Sequence, residues 1–275
     1  MGHRLELPII ARGSARLTLA ELAATRKEPP ACFSAKLTPQ LLKHSDEQTL
    51  ASLVALYAAI ADFGMAAEDF GPWGVVSLSR SLGRGAFAAV MDKYRIDGAW
   101  GVSVQVIPHR TPHAVSGTIS LGLGMHGPAI GANGGPDGDA TALLVLPGLF
   151  AERHWRGVWL VCSEWSPELA IDGSGRPISD SVCLATAVAL ANGPAAAPAL
   201  GCIRLDSAGS KHSSVVKPAP HVSFPNVAPS QERHLPSLVE FFLGQSGDGR
   251  KWISHPSNSL RVEIDFPAAA GAARS

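Results

Sequence analysis

The chain has little with which to build a metal knuckle, a disulfide framework or a membrane span. Its four cysteines, Cys32, Cys162, Cys183 and Cys202, lie too far apart for a Cys-x-x-Cys pair, and three of them sit among apolar residues. That is the setting of packed thiols in a reducing compartment rather than of secreted cross-links. No apolar run near the start reaches the length of a signal-peptide core, and none later reaches that of a bilayer span, so a soluble cytoplasmic protein is expected. Charge of one sign is also missing, since 23 Lys and Arg offset 23 Asp and Glu. This balance removes the electrostatic footprint of a nucleic-acid or membrane-surface protein. No internal repeat stands out.

What remains is an alternation of helices and strands. Between Pro39 and Phe63, Leu41, Leu42, Leu50, Leu53, Val54, Leu56, Tyr57 and Ile60 recur at three- and four-residue spacing, the stripe of a helix packed on a core. The polar run Lys43, His44, Asp46, Glu47 and Gln48 faces solvent or caps a break between two helices, and Gly64 provides the stop. Trp73 to Leu78 predicts a short strand that turns through Gly83 and Gly85 into a helix from Ala86 to Met91. Val102 to Ile107 reads as an extended piece, Ser116 to Leu123 as a helix, and Ala140 to Leu146, continuing toward Trp155, as a helix kinked by Pro147-Gly148. Gly157 to Glu164 is the clearest buried strand; Ser181 to Leu190, Gly201 to Leu205 and Leu260 to Phe266 add others. Leu235 to Leu243 predicts a short helix, and the Ser- and Pro-rich residues 206–232 a mobile loop or partner-contacting arm. The fold class is α/β, in layers.

The segment Pro112-His113-Ala114-Val115-Ser116-Gly117, leading to Gly127-Pro128 and then to Gly131-Ala132-Asn133-Gly134-Gly135-Pro136-Asp137-Gly138, resembles the approach to the nucleophilic cysteine in β-ketoacyl synthases of the thiolase superfamily. There a Pro-Asn-x-x-x-Gly segment precedes a Gly-Pro pair and a strand ends in Ala-Cys-x-Ser-Gly. Ser77, Ser79, Arg80, Ser81 and Gly83 resemble the family's Gly-Ser-rich strand end, and Glu164 falls where a Gly-Gly-x-Glu turn would lie. The resemblance implies a thiolase-like layered fold similar to only the N-terminal half of a ketosynthase, as in short proteins associated with chain-length-factor subunits. Residues 1–32 are then an N-terminal extension, 33–205 the ketosynthase-like N-terminal domain, and 206–275 a loop-rich C-terminal segment packing on the domain or on a partner. Counting on from Gly127-Pro128, the nucleophile position holds Pro136, or Gly135 if the turn shifts by one. Neither side chain can attack a thioester. After Ala195 no Gly-Thr-Gly-Thr and no Gly-His-x-x-Gly-Ala-x-Gly segment occurs, so the second half and its histidines have no counterpart.

His113 replaces the family's asparagine and His126 precedes Gly127-Pro128, which makes both candidates for moving a proton, with Asp137 and Asp139 as further acid or base groups. The expected roles are structural: turns and hydrogen bonds for the histidines, a helix cap for the aspartates. Ser79, Arg80, His109, His113 and Asn133 are the candidates for contacting a ligand. His212, His221, His234 and His255 match neither histidine motif and are expected on the surface. Cys162 and Cys183 read as inert packing thiols, Ser116 lacks the Gly-x-Ser-x-Gly spacing, and the cysteines and carboxylates nearby form no zinc spacing.

The resemblance implies a noncatalytic ketosynthase-like partner, or chain-length-factor-like subunit, in fatty-acid or polyketide synthesis. It would need no cofactor, would meet a carrier-protein-bound acyl substrate through its partner, and would sit beside a complete ketosynthase. The alternatives are a cysteine-independent acyl-thioester enzyme, with backbone oxyanion donors in the glycine-rich turn and His109, His113 or His126 handling a proton, and a free-standing acyl-ligand-binding or scaffold protein. With the second half missing, the C-terminal segment looks a poor cover for the exposed apolar layer, so association is expected. Because Ala129 to Gly135 has low strand propensity, a heteromeric contact supported by helices is expected before a homodimer.

Overall fold

The first residues alternate apolar Leu5, Leu7 and Ile9 with Arg4, Glu6 and Pro8, and they form the long strand β1 (His3–Thr18). The structure, a computed structural model, describes residues 3–103, 106–134, 139, 143–151, 154–172, 180–193, 199–207, 237–244, 250–257 and 260–267. Thr18 and Glu21 make a capping box that opens α1 (Leu19–Lys27). The stretch expected as an N-terminal extension therefore supplies a strand inside the sheet. Its period-two alternation is the signal for it.

The helix expected from Pro39 to Phe63 divides into α2 (Pro39–His44) and α3 (Glu47–Asp62) at Ser45 and Asp46, both extended. Asp46 caps α3 by accepting the Gln48 N–H at 2.9 Å. β2 (Trp73–Arg80) turns into α4 (Arg84–Asp97), followed by α5 (Val106–Arg110), α6 (His113–Leu123) and β3 (Ala129–Gly134). Val106 and Ile107, expected to be extended, instead begin α5, whose Arg110 is held 2.8 Å from Asp46 at the start of α3. Then come α7 (Val145–Ala151), β4 (Gly157–Ser166), β5 (Val182–Ala191), β6 (Gly201–Ser207), α8 (Leu238–Leu243), β7 (Lys251–Ser257) and β8 (Leu260–Asp265). The patterning had not suggested β7.

These strands form one mixed sheet in the order β3-β2-β4-β5-β1-β6-β8-β7. β2 is parallel to both β3 and β4, and every other pairing is antiparallel. β1 works as a splice: residues 9–18 pair with β5, residues 3–9 pair with β6, and Ile9 faces both Leu190 and Gly201. The glycine-rich β3 is a strand despite its low propensity because small residues let α6 sit close. A Cβ on Gly131 would meet the Pro112 carbonyl and the His113 N–H.

Alternation sends the β4 side chains to two cores. Trp159, Val161 and Trp165 face a layer that contains α3 and α6, while Val158, Leu160 and Cys162 face α7 and α8. The C-terminal segment covers this second face better than its composition suggested: Leu238, Val239, Phe241, Phe242, Trp252, Val262, Ile264 and Phe266 are all buried there. Burying a large apolar side chain contributes about 1.5–3 kcal/mol, enough for a few of them to hold a helix as short as α8 that has no stability alone. Where a second chain was expected to cover this apolar layer, the chain's own C-terminal residues do so.

The closest approach in the first layer is β1 on α3. A Cβ on Gly13 would fall on the Ala55 carbonyl oxygen and 2.9 Å from Ala59 Cβ. Gly13→Ala is expected to destabilise the protein by about 1–3 kcal/mol through overpacking, measured by urea denaturation, while Gly64→Ala, where a Cβ meets nothing within 4 Å, costs only its left-handed backbone strain.

Candidate functional site

In an open α/β sheet, ligands gather outside the carboxyl ends of parallel strands. Here those ends belong to β2, β3 and β4, which meet in register as Ser79 beside Asn133 on one side and Ser163 on the other. On the α3 side of the sheet the polar atoms form a closed thread. Ser163 Oγ donates to Gln48 Oε1 at 2.9 Å and lies 2.9 Å from Ser79 Oγ, while Gln48 Nε2 donates to the Arg80 carbonyl at 2.8 Å.

The α8 side carries charge. Arg80 follows Leu78 on the inward parity of β2, and Glu164 follows Cys162 on that of β4. The Arg80 guanidinium donates to Asp139 through Nη2 at 2.8 Å and Nε at 3.3 Å, and its Nη1 lies 3.3 Å from Glu164. Both carboxylates are only 7% exposed at the side chain. Each is also fixed from α8: Ser237 Oγ donates to Glu164 at 2.7 Å, and the Leu238 N–H, an otherwise unmatched helix donor, to Asp139 at 2.7 Å. Ser237 also makes a capping box with Glu240. Burial pushes the Glu164 carboxyl above its ordinary pKa; the Ser237 hydroxyl and Arg80 oppose the shift, and Glu240 and Asp139 reinforce it.

A cavity of about 320 Å³ opens beside this cluster, lined by Arg80, Ser81, Glu164, Trp165, Glu168 and Glu240 among others. Ser81, at the strand-to-helix turn, takes φ 53° and donates to Glu168 at 3.2 Å. No thiol lines the cavity among the described residues. Cys162 and Cys183 are buried, and burial pushes both thiols well above their ordinary pKa, so at neutral pH they stay protonated and unreactive.

With this geometry in hand the chain can be set beside known proteins. No family model matches it, and no curated protein does. Two solved structures are similar in fold: the ishigamide ketosynthase/chain length factor, with a TM-score of 0.50 at 16% identity over 71% of this chain, and a β-ketoacyl synthase from Burkholderia phymatum STM815, with 0.50 at 13% over 72%. The fold is similar to that of these two proteins over about seven tenths of the chain. The likeness takes in 65% and 62% of those two chains, less than two thirds of either.

The fold gathers some of the sequence candidates and scatters others. Ser79, Arg80, Asn133 and Asp139 lie at the strand ends, with Asn133 exposed. His126 is at the opposite end of the sheet, its N–H donating to the Gly71 carbonyl at 2.9 Å, so the length of β2, ~23 Å, separates it from Arg80. His113 begins α6, exposed, with Nδ1 3.5 Å from Ser116 Oγ. His109, on α5, stacks on His44 at 5.8 Å and lines a separate cleft of about 580 Å³. Gly135, Pro136 and Asp137 lie outside the described residues, as do His212, His221 and His234; the backbone of His255 is in β7. Gln48, Ser163, Ser237, Glu168 and Glu240 were not anticipated. Parity shows how the Arg80–Glu164 pair becomes visible: two charged residues occupy the inward register of otherwise apolar strands.

Removing one member of a buried charge cluster leaves the others unpaired. Arg80→Met is expected to destabilise the protein by about 3–5 kcal/mol, and to do so more at pH 8 than at pH 5, where the carboxylates can protonate; equal losses at both values would show that the cluster contributes nothing electrostatic. The raised Glu164 pKa also sets a sign for the parent. Its contribution is complete below the ordinary value of 4.5 and is lost as pH rises through the raised folded value. Thermal melts of Glu164→Gln across that window are expected to show a flatter fall in Tm with rising pH than the parent.

Proposed function

We propose that this chain is a noncatalytic ketosynthase-like partner, similar to a chain-length-factor subunit, acting in fatty-acid or polyketide synthesis. The observation that carries this reading is the pairing of a ketosynthase fold with Gly135 and Pro136 where the resemblance puts the nucleophile. The self-satisfied ion cluster at the ends of β2 and β4 supports it, since those strand ends hold a structural tie and the buried thiols nearby are inert. Condensation would then belong to a complete ketosynthase, and a carrier protein would deliver the acyl chain to that partner.

The two edges of the sheet support association. Edge β7 has Lys251, the donor-less Pro256 and a register shift between Ser254 and Ser257, devices that discourage strand pairing. Edge β3, Ala129-Ile130-Gly131-Ala132-Asn133-Gly134, carries neither charge nor proline, and among the described residues β2 is its one strand neighbour. An unprotected edge of this kind accepts a partner strand through backbone hydrogen bonds alone, which needs no strand propensity in the side chains.

Incubation with acyl-carrier-protein thioesters followed by intact-mass measurement is expected to show the unmodified chain. A stoichiometric acyl adduct would overturn the noncatalytic reading, and its loss in Cys162→Ser or Cys183→Ser would identify a thiol that opens to solvent.

A further inference from the structure

Among the described residues, Ser81 is the one residue other than glycine with a left-handed backbone, at φ 53°. A serine is strained there, and strain of this kind clusters where a turn has chemistry to do. Ser81 sits at the sharp turn from β2 into α4, in the sequence Ser79-Arg80-Ser81-Leu82-Gly83. A small residue, then a serine two positions on, then a glycine two further is the spacing of a nucleophile elbow, with serine here in place of the first glycine. Both flanking positions need their small size. Ser79 is 1% exposed and bonded to Ser163, and Gly83 takes φ 71°, where a Cβ would come 2.8 Å from the Arg110 carbonyl oxygen.

The surroundings supply the other parts of such a site. Ser81 Oγ donates to Glu168 Oε1 at 3.2 Å, and Arg84 holds the same oxygen, which fixes the carboxylate against the hydroxyl. Glu168 Oε2 and the Leu82 N–H have no hydrogen-bond partner among the described residues. The residue after the serine is the place of an oxyanion donor in an elbow. Ser81 and Glu168 both line the cavity of about 320 Å³, at the small end of ligand sites. Carboxylates outnumber cations on its wall, Glu164, Glu168 and Glu240 against Arg80, which favours an uncharged ligand over an anionic one.

We propose that Ser81 is a nucleophile and that the cavity beside it takes a small uncharged carboxylic ester. Ser81 Oγ attacks the ester carbonyl carbon while its proton passes to the Glu168 carboxylate, and the Leu82 N–H meets the oxyanion. The C–O bond to the alcohol then breaks, and the alcohol leaves with the proton from Glu168. Water attacks the acylated Ser81 in turn, giving a proton to Glu168, which returns it to Ser81 Oγ as the carboxylic acid departs. A carboxylate is a weaker base than the imidazole of a serine triad, so turnover is slow and favours esters with good leaving groups. The inference goes beyond the ketosynthase-partner reading and does not depend on it, because that reading concerns condensation at the position of Gly135 and Pro136.

Phenylmethanesulfonyl fluoride transfers its sulfonyl group to an activated serine and releases fluoride. With the full chain it is expected to add one group, which peptide mapping places on Ser81, and to stop the hydrolysis of phenyl acetate. Ser81→Gly, which suits a positive φ, should melt no lower than the parent, take no label and leave phenyl acetate at its rate in buffer. Glu168→Gln, which breaks only an exposed ion pair, should fold and take the label at least about tenfold more slowly. No adduct, an adduct on another residue, or labelling of Glu168→Gln at the parent's rate overturns the proposal.

Discussion

Arg80 comes in from the end of β2 on the parity that faces the second core, where a lone cation would be costly to desolvate. It is tolerable because Asp139 takes two of its nitrogens and Glu164, from the neighbouring strand, takes a third. The two carboxylates then have acceptor capacity left over, and α8 uses it, through the Ser237 hydroxyl and the Leu238 N–H. One guanidinium thus joins β2, β4, Asp139 and a helix about a hundred residues later in the chain. The same arrangement fills the strand ends where a parallel sheet offers its chemistry, which is why structural and functional readings of this region converge.

The C-terminal residues change what the rest of the chain needs. β6, β8 and β7 extend the sheet past β1, whose two halves pair on opposite sides, and α8 lies over the second face. The demand for a second chain is therefore not set by an uncovered apolar layer. The proposed association rests instead on a narrower feature, the uncharged edge of β3, which suits backbone pairing.

Much of the fold was legible in the sequence because buried strands announce themselves as continuous apolar runs. Gly157–Ser166 and Val182–Ala191 are buried almost throughout, and both were readable. β1 was missed because its inward side chains alternate with charged ones and include alanine and glycine, a weaker pattern than an apolar run. β3 looked unlike a strand because its composition answers to the close approach of α6 at Gly131 rather than to propensity. At the site, the resemblance reached Ser79, Arg80 and Glu164 through their places in the motif order, but spacing along the chain cannot show that Gln48, Ser237 and Glu240 converge on them from 30 to more than 70 residues away. The histidines were misleading for the opposite reason: His109, His113 and His126 are near the motif in sequence, while Pro112 and the length of α6 spread them over different elements.

The proposed role is to work beside a complete ketosynthase without performing condensation itself. Co-expression with such a ketosynthase, followed by size-exclusion chromatography with mass determination and by analysis of acyl product length, tests it most directly. The expected result is a defined complex whose products differ in length from those of the ketosynthase alone. A chain that forms no complex and leaves the product distribution unchanged would contradict it.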